Sequence, residues 1–60
     1  MKIKENDRVL VPDPEAGDIW SYSFVGRVAD IVINGIAIIE DLDSNFYEVA
    51  IERLKVFINA

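Results

Sequence analysis

Apolar and polar residues alternate along much of this chain, which is the pattern of strands that bury one face. The first predicted strand is Arg8–Val11, with Val9 and Val11 on its inner face. After the turn-rich segment 12–18, three aromatic residues alternate with serines and share one face if the segment is extended: Trp20, Tyr22 and Phe24. This periodicity predicts an all-β chain.

The dipeptide Asn34-Gly35 separates two β-branched runs. It predicts a two-residue type I′ hairpin turn, because both residues tolerate positive φ. Pairing outward from that turn sets Ile33 opposite Ile36 and Ile31 opposite Ile38. The apolar face of the hairpin is then expected to consist of Ile31, Ile33, Ile36 and Ile38, and the mixed face of Asp30, Val32, Ala37 and Ile39.

Along the second strand, the apolar residues expected to face inward change from even-numbered positions, Phe24 and Val28, to odd-numbered ones, Ile31 and Ile33. A β-bulge near Ala29-Asp30 would correct this change and bend the strand. Gly26 suits a crowded or bent position in the same strand. With the bulge, four apolar side chains are expected inside: Phe24, Val28, Ile31 and Ile33.

The C-terminal part predicts two short strands separated by one helical turn. Residues 40–45 are a polar turn, 46–49 a strand, 50–54 the helical turn and 55–58 the closing strand. The apolar residues expected in the core here are Val49, Leu54, Val56 and Phe57. The whole chain, residues 1–60, is expected to fold as a single domain.

Composition restricts the chemistry that this chain can perform. The 60 residues contain no Cys and no His, so disulfides and zinc ligation by those residues are excluded. A formal net charge of −5 disfavours nucleic acid and favours a basic partner. No apolar run reaches the roughly 18 residues of a membrane span, and the charged N-terminus does not resemble a signal peptide. We therefore expect a soluble, cytoplasmic chain with no membrane contact.

The order of these motifs resembles Tudor-like and KOW-like modules of the SH3-like barrel superfamily. The resemblance runs from DRVLV through F-x-G-x-V and the hairpin to FYEV and the helical turn, roughly residues 8–57. It implies a small five-stranded SH3-like (Tudor-like) barrel with one short helical turn before the last strand. KOW-like modules bind RNA through basic loops, whereas the corresponding loops here are acidic.

Tudor modules that bind methylated Lys or Arg use an aromatic cage, which implies a set of binding residues in this chain. The aromatic candidates are Trp20, Tyr22, Phe46 and Tyr47, and the acidic ones are Asp18, Asp41 and Asp43. Attraction of a cation to ring faces beside a carboxylate would hold an alkylated ammonium. The competing interpretation is that these rings only cover one end of the core.

Other functions find less support in the sequence. A calcium loop matching Asp41, Asp43, Asn45 and Glu52 fails at its sixth position, where Phe46 replaces the required glycine. No general base or nucleophile of the His or Cys type is present, and a domain this small is expected to have no room for a deep cleft of the roughly 300 Å³ or more that substrate pockets need. No enzyme, metal or cofactor is therefore predicted.

Surplus apolar residues suggest a second kind of role. Five side chains could not all lie inside one small barrel: Val25, Val32, Ala37, Ile39 and Ile58. Exposed apolar patches on small domains commonly mark association, here a two-fold homodimer. The prediction is a non-catalytic binding or adaptor module that recognises a protein segment, basic or methylated. The alternative is a structural homo-oligomer or accessory subunit.

Overall fold

The structure, a computed structural model, describes residues 3–32 and 35–57. Within these ranges the chain forms five strands and one short 3₁₀ turn: β1 Arg8–Val11, β2 Phe24–Val32, β3 Ile36–Glu40, β4 Phe46–Ala50, the 3₁₀ turn Ile51–Arg53 and β5 Lys55–Val56. The predicted all-β class is confirmed. The predicted helical turn is present, but it is a 3₁₀ turn of three residues and not a turn over 50–54.

The five strands form one antiparallel sheet in the order β4-β3-β2-β1-β5. The last strand therefore returns to pair with the first, with Val9 opposite Val56. The hydrogen bonds of the described residues do not close this sheet, because β4 and β5 stand at its two edges. The closing strand is also shorter than predicted, and Ile58 lies outside the described residues.

The β-bulge is confirmed where the change of phase predicted it. The register between β2 and β3 shifts between Val28 and Asp30. Val28 is fully buried before the bulge, and Ile31 packs against the core after it. The extra residue lets one strand present apolar side chains inward on both sides of its bend.

The register of the β2–β3 hairpin differs from the prediction. Ile31 lies opposite Ala37 rather than Ile38, because Val32 pairs with Ile36 and three residues, not two, separate them. Gly35 has φ 74°, which suits the left-handed position that ends a three-residue hairpin loop. The predicted pairing of Ile33 lies outside the described residues.

This register changes which side chains of β3 form the core. Ala37 and Ile39 are fully buried, whereas Ile36 and Ile38 are half-buried on the outer face. A shift of one residue exchanges the two faces of a strand. The expectation that Ala37 and Ile39 belong to an exposed apolar surplus was therefore wrong.

Among the described residues, eight buried side chains from the strands, the β1–β2 loop and the segment before β5 form the core: Val9, Val11, Trp20, Val28, Ala37, Ile39, Val49 and Leu54. Phe24 packs against this core, as predicted. Phe57 does not, since 41% of its surface is exposed.

Candidate functional site

A small hollow lies at one end of the core, between the β1–β2 loop (residues 12–23) and the β3–β4 turn (residues 41–45). Its volume is about 120 Å³. Its lining is formed by Ile19, Trp20, Ser21, Tyr22, Phe24, Asp41 and Tyr47. Four aromatic rings and one carboxylate thus meet at a single place, which we call the aromatic hollow.

Trp20 is the fixed wall of the aromatic hollow. It is 5% exposed, and its indole Nε1 donates a hydrogen bond of 2.9 Å to the carbonyl oxygen of Pro12. A buried indole N–H requires such a partner. The bond joins the two ends of the β1–β2 loop and so fixes the path by which the loop crosses the core.

The β1–β2 loop is also held by its own acidic residues. The backbone N–H of Glu15 donates to Asp18 Oδ2 at 2.7 Å, and the backbone N–H of Asp18 donates to the carbonyl oxygen of Glu15 at 3.0 Å. Gly17 has φ 94° within this turn, a conformation that glycine adopts without strain. Asp18 therefore has a structural role in shaping the loop.

Arg53 connects this loop to the 3₁₀ turn. Its guanidinium donates to both carboxylate oxygens of Asp18, with Nη1 to Oδ1 at 3.2 Å and Nη2 to Oδ2 at 3.0 Å. The same guanidinium lies 5.2 Å from the centre of the Trp20 ring. Arg53 holds the pKa of Asp18 below its ordinary value, helped by the backbone N–H of Glu15. One cation thus anchors both the loop and the indole.

Tyr47 and Phe24 form the opposite wall. Their ring centres are 5.4 Å apart with the planes tilted by 56°, and the Tyr47 ring meets Trp20 edge to face at 6.4 Å. Such arrangements stabilise aromatic pairs beyond the area they bury. Desolvation raises the pKa of Tyr47, and the nearby Asp41 carboxylate raises it further. The phenol is therefore neutral around pH 7.

Asp41 supplies the negative charge of the aromatic hollow. Its Oδ1 accepts hydrogen bonds from the backbone N–H groups of Asp43 at 2.8 Å and Asn45 at 2.9 Å. Its Oδ2 accepts from the side-chain amide of Asn45 at 3.3 Å. These donors, the Asn45 N–H first among them, lower the pKa of Asp41, so it is a carboxylate around neutral pH.

The structure brings together some of the residues that the sequence suggested as a binding site, but not all. Trp20, Tyr22, Tyr47 and Asp41 line the aromatic hollow, and Tyr22 is 73% exposed there. Phe46 lies outside it, because β4 alternates and the buried Val49 shares the inward parity of Tyr47.

The two remaining acidic candidates also lie apart from the aromatic hollow. Asp43 is exposed in the β3–β4 turn and does not line it. Asp18 is outside it as well, and its carboxylate is occupied by Arg53. Asp41 is therefore the one carboxylate that lines the hollow among the described residues.

Sequence reasoning missed two features of this region. Ile19 and Phe24 contribute to the lining, although only Phe24 was singled out, and then as core. Arg53 was not identified as a residue of this region, whereas it forms an ion pair with Asp18. The alternation of aromatic residues through Phe24 could have identified the ring, but no local signal links Arg53 to Asp18.

The chemistry available here is recognition of a cation by ring faces and a fixed carboxylate. Among the described residues no group of three or more acidic side chains is placed to hold a metal ion. The part of the chain that the structure describes also contains no helix with the length and apolar character needed to cross a membrane. Searches of protein-family models, curated proteins and solved structures gave no match to this chain.

Proposed function

We propose that this protein is a non-catalytic binding module that recognises a basic protein segment, with an alkylated lysine side chain entering the aromatic hollow. The observation that carries the proposal is the convergence of Trp20, Tyr22, Phe24 and Tyr47 around one hollow that Asp41 also lines. A ligand cage requires such a convergence, which supports this proposal over rings that only cover the core.

The preference for an alkylated ammonium follows from the lining. Methylation spreads the positive charge over a larger, less hydrated group, which loses less solvation when it contacts ring faces. Asp41 is already held as an anion by three hydrogen bonds from its own turn. It therefore offers a charge that needs no rearrangement before the ligand arrives. The net charge of −5 would also attract basic segments from solution.

We place the fold in the SH3-like barrel class as part of the same proposal. Three features support this: the return of β5 to pair with β1, the 3₁₀ turn just before β5, and the β-bulge in β2. The module would then act as an adaptor within a larger assembly. The class of fold does not by itself decide the ligand, which is argued from the aromatic hollow alone.

The structural-subunit alternative depended on a flat apolar patch that would include Val32, Ala37 and Ile39. Ala37 and Ile39 are fully buried, so such a patch does not exist on this surface. A homodimer through that face is therefore not what we propose. Nucleic acid remains disfavoured by the net negative charge.

The direct test is an NMR titration with matched peptides that differ in one side chain. The set contains trimethyl-lysine, unmodified lysine, and the neutral isostere in which carbon replaces the ammonium nitrogen. We expect the trimethyl-lysine peptide to bind most tightly and to shift the amides of Trp20, Tyr22, Asp41 and Tyr47. Equal binding of the neutral isostere would show that the cation is not recognised. Amide shifts confined to residues outside the aromatic hollow would show that the peptide binds at another site.

Two exposed aromatic residues provide a matched pair of variants. Tyr22 is 73% exposed and lines the aromatic hollow, whereas Phe46 is 56% exposed and lies outside it. Loss of one ring of a cage weakens cation binding by about 2- to 30-fold. Tyr22→Ala is expected to show that loss and Phe46→Ala to bind as the wild type does. Equal losses in both variants would contradict the proposed site.

A further inference from the structure

A second and larger concavity lies on the outer face of the sheet. Its volume is about 460 Å³. It forms between side chains on the surface and not within the core. We call this concavity the outer groove. It is lined by Arg8, Val25, Gly26, Arg27, Glu40, Asp41, Leu42 and Phe57.

The walls of the outer groove are exposed apolar side chains. Leu42, in the β3–β4 turn, is 98% exposed, and Phe57, just after β5, is 41% exposed. Val25 lies half-buried between them on β2. A leucine and a phenylalanine on either side of one concavity are more than isolated surface residues, since contiguous exposed apolar groups mark interaction sites.

A row of charged side chains crosses the sheet beside these apolar groups. Arg8 on β1 is directly opposite Arg27 on β2, and Arg27 is directly opposite Glu40 on β3. Arg27 Nη2 lies 2.6 Å from Glu40 Oε1, and its Nη1 donates to Asn6 Oδ1 at 3.0 Å. Arg27 is therefore neutralised, whereas Arg8 forms no ion pair with any described residue.

The pairing of Arg8 with Arg27 needs an explanation. Like charges directly opposite each other in a sheet are destabilising. The chain contains six cationic residues against eleven acidic ones, yet it places two of the six side by side at the outer groove. Glu40 already compensates the charge of Arg27, so Arg8 is the cation of this pair that has no anionic partner among the described residues, and a bound carboxylate would supply one.

We propose that the outer groove is a second interaction surface, which takes a partner protein segment carrying an apolar side chain next to a carboxylate. The apolar side chain lies on Val25 between Leu42 and Phe57, and the carboxylate pairs with Arg8. The surface is separate from the aromatic hollow in both position and charge preference, although Asp41 borders both. The protein can thus join a basic segment at one site and an acidic, apolar segment at the other.

The proposal is tested with three acetylated tetrapeptide amides, in which leucine alternates with glutamate, glutamine or lysine. Amide shifts are followed at low ionic strength. We expect the glutamate peptide to bind most tightly, to shift Val25, Gly26, Leu42 and Phe57, and to weaken as salt is added. Equal binding of the three peptides overturns the proposal, as does preferential binding of a short oligonucleotide at these residues.

Two exposed cations give the matched variants. Arg8→Gln removes the unpaired charge of the outer groove, and Lys55→Gln removes an exposed charge on β5 that does not line it. An exposed ion pair contributes little, so Arg8→Gln is expected to weaken the glutamate peptide by about two- to fivefold. It should leave the glutamine peptide unchanged.

Lys55→Gln should leave both peptides unchanged. If both variants lose the same affinity for the glutamate peptide, the effect arises from the net charge of the protein, and the assignment of Arg8 is overturned. Self-association of the free protein through the outer groove, undiminished by the glutamate peptide, would also overturn it in favour of a second copy of this chain. Sedimentation velocity with and without the peptide measures that outcome.

Discussion

The guanidinium of Arg53 lies over the indole of Trp20, 5.2 Å from the ring centre, while it holds Asp18 through two hydrogen bonds. Trp20 therefore receives a cation from within the protein. This contact joins the 3₁₀ turn to the loop that carries Ile19, Trp20 and Tyr22 into the aromatic hollow. The proposed binding at the aromatic hollow would therefore depend on a residue that does not line it.

Arg53→Gln is expected to destabilise the protein and to weaken binding at the aromatic hollow. The substitution removes the ion pair with Asp18 and the cation over Trp20, so the β1–β2 loop loses its attachment to the 3₁₀ turn. Urea unfolding followed by the fluorescence of the single tryptophan measures the first effect. Titration with the trimethyl-lysine peptide measures the second.

Arg53→Lys separates the two contributions of Arg53. A lysine retains the charge but cannot form two parallel hydrogen bonds to a carboxylate. We expect stability between those of the wild type and Arg53→Gln. Lys55 is an exposed cation whose side chain has no hydrogen-bond or ion-pair partner in the described structure. Lys55→Gln is therefore the control and should leave the stability unchanged. If Arg53→Gln binds the trimethyl-lysine peptide and resists urea as the wild type does, the loop is held by Trp20 and Pro12 without Arg53.

Stability should fall in acid, and Asp18 should account for part of the loss. The pKa of Asp18 is lowered from 3.8 by Arg53 and the Glu15 N–H. A carboxyl whose folded pKa is depressed stabilises the fold above its unfolded pKa, and this contribution is lost as pH falls through the folded value. The loss therefore begins below about pH 4. Asp18→Asn should be less stable than the wild type at neutral pH and nearly equal to it in strong acid.

Urea midpoints measured across this pH range test the assignment. Asp43→Asn is the matched control, because Asp43 is an exposed carboxylate that accepts no hydrogen bond from another described residue. It should follow the wild-type curve. If the Asp18→Asn and wild-type curves stay parallel down to strong acid, the pair with Arg53 does not contribute to the pH dependence.

Tyr47 should ionise at higher pH than an ordinary tyrosine, because desolvation and then the Asp41 carboxylate raise its pKa above 10.0. A group with a raised folded pKa stabilises the protein below its unfolded pKa, and that stability is lost as pH rises through the folded value. Alkaline titration of tyrosinate absorbance should show a late component that disappears in Tyr47→Phe. Asp41→Asn should move that component toward ordinary pH. A late component that persists in Tyr47→Phe would contradict the assignment to Tyr47.

Several features of the fold follow from the sequence because their causes are local. Strand β1 and the inward pair Val9 and Val11 follow from alternation, and the bulge follows from a change of phase within β2. The 3₁₀ turn follows from a short break between two apolar runs. These features depend on residues within a few positions of one another, which is the range over which sequence patterns are informative.

The features that the sequence did not predict depend on loop length and on long-range contacts. The dipeptide Asn34-Gly35 indicated the hairpin, but the two-residue loop predicted from it was wrong, and the three-residue loop decides that Ile39 rather than Ile38 is buried. Arg53 and Asp18 are 35 residues apart, and no pattern in the chain links them. The aromatic hollow was therefore predicted in part, and its anchor was not.

Gly26→Ala is expected to destabilise the protein by about 1–3 kcal/mol, the cost of overpacking a core. A Cβ at this position would lie 2.6 Å from Ile39 Cγ2, 2.8 Å from the backbone oxygen of Glu40 and 3.1 Å from Phe24 Cε2. The contact with the backbone of β3 is the decisive one, because a main-chain atom within a paired strand cannot move aside as the end of a side chain can. Relief would require β2 and β3 to separate where Arg27 pairs with Glu40. The same change would displace Phe24, which lines the aromatic hollow, so binding of the trimethyl-lysine peptide should weaken together with stability.

Ser23→Ala, at an exposed position just before β2, is the control and should stay within about 0.5 kcal/mol of the wild-type stability. Urea unfolding of the two variants decides the matter, and a Gly26→Ala protein as stable as Ser23→Ala would mean that β2 and β3 do not approach each other as closely as the structure shows.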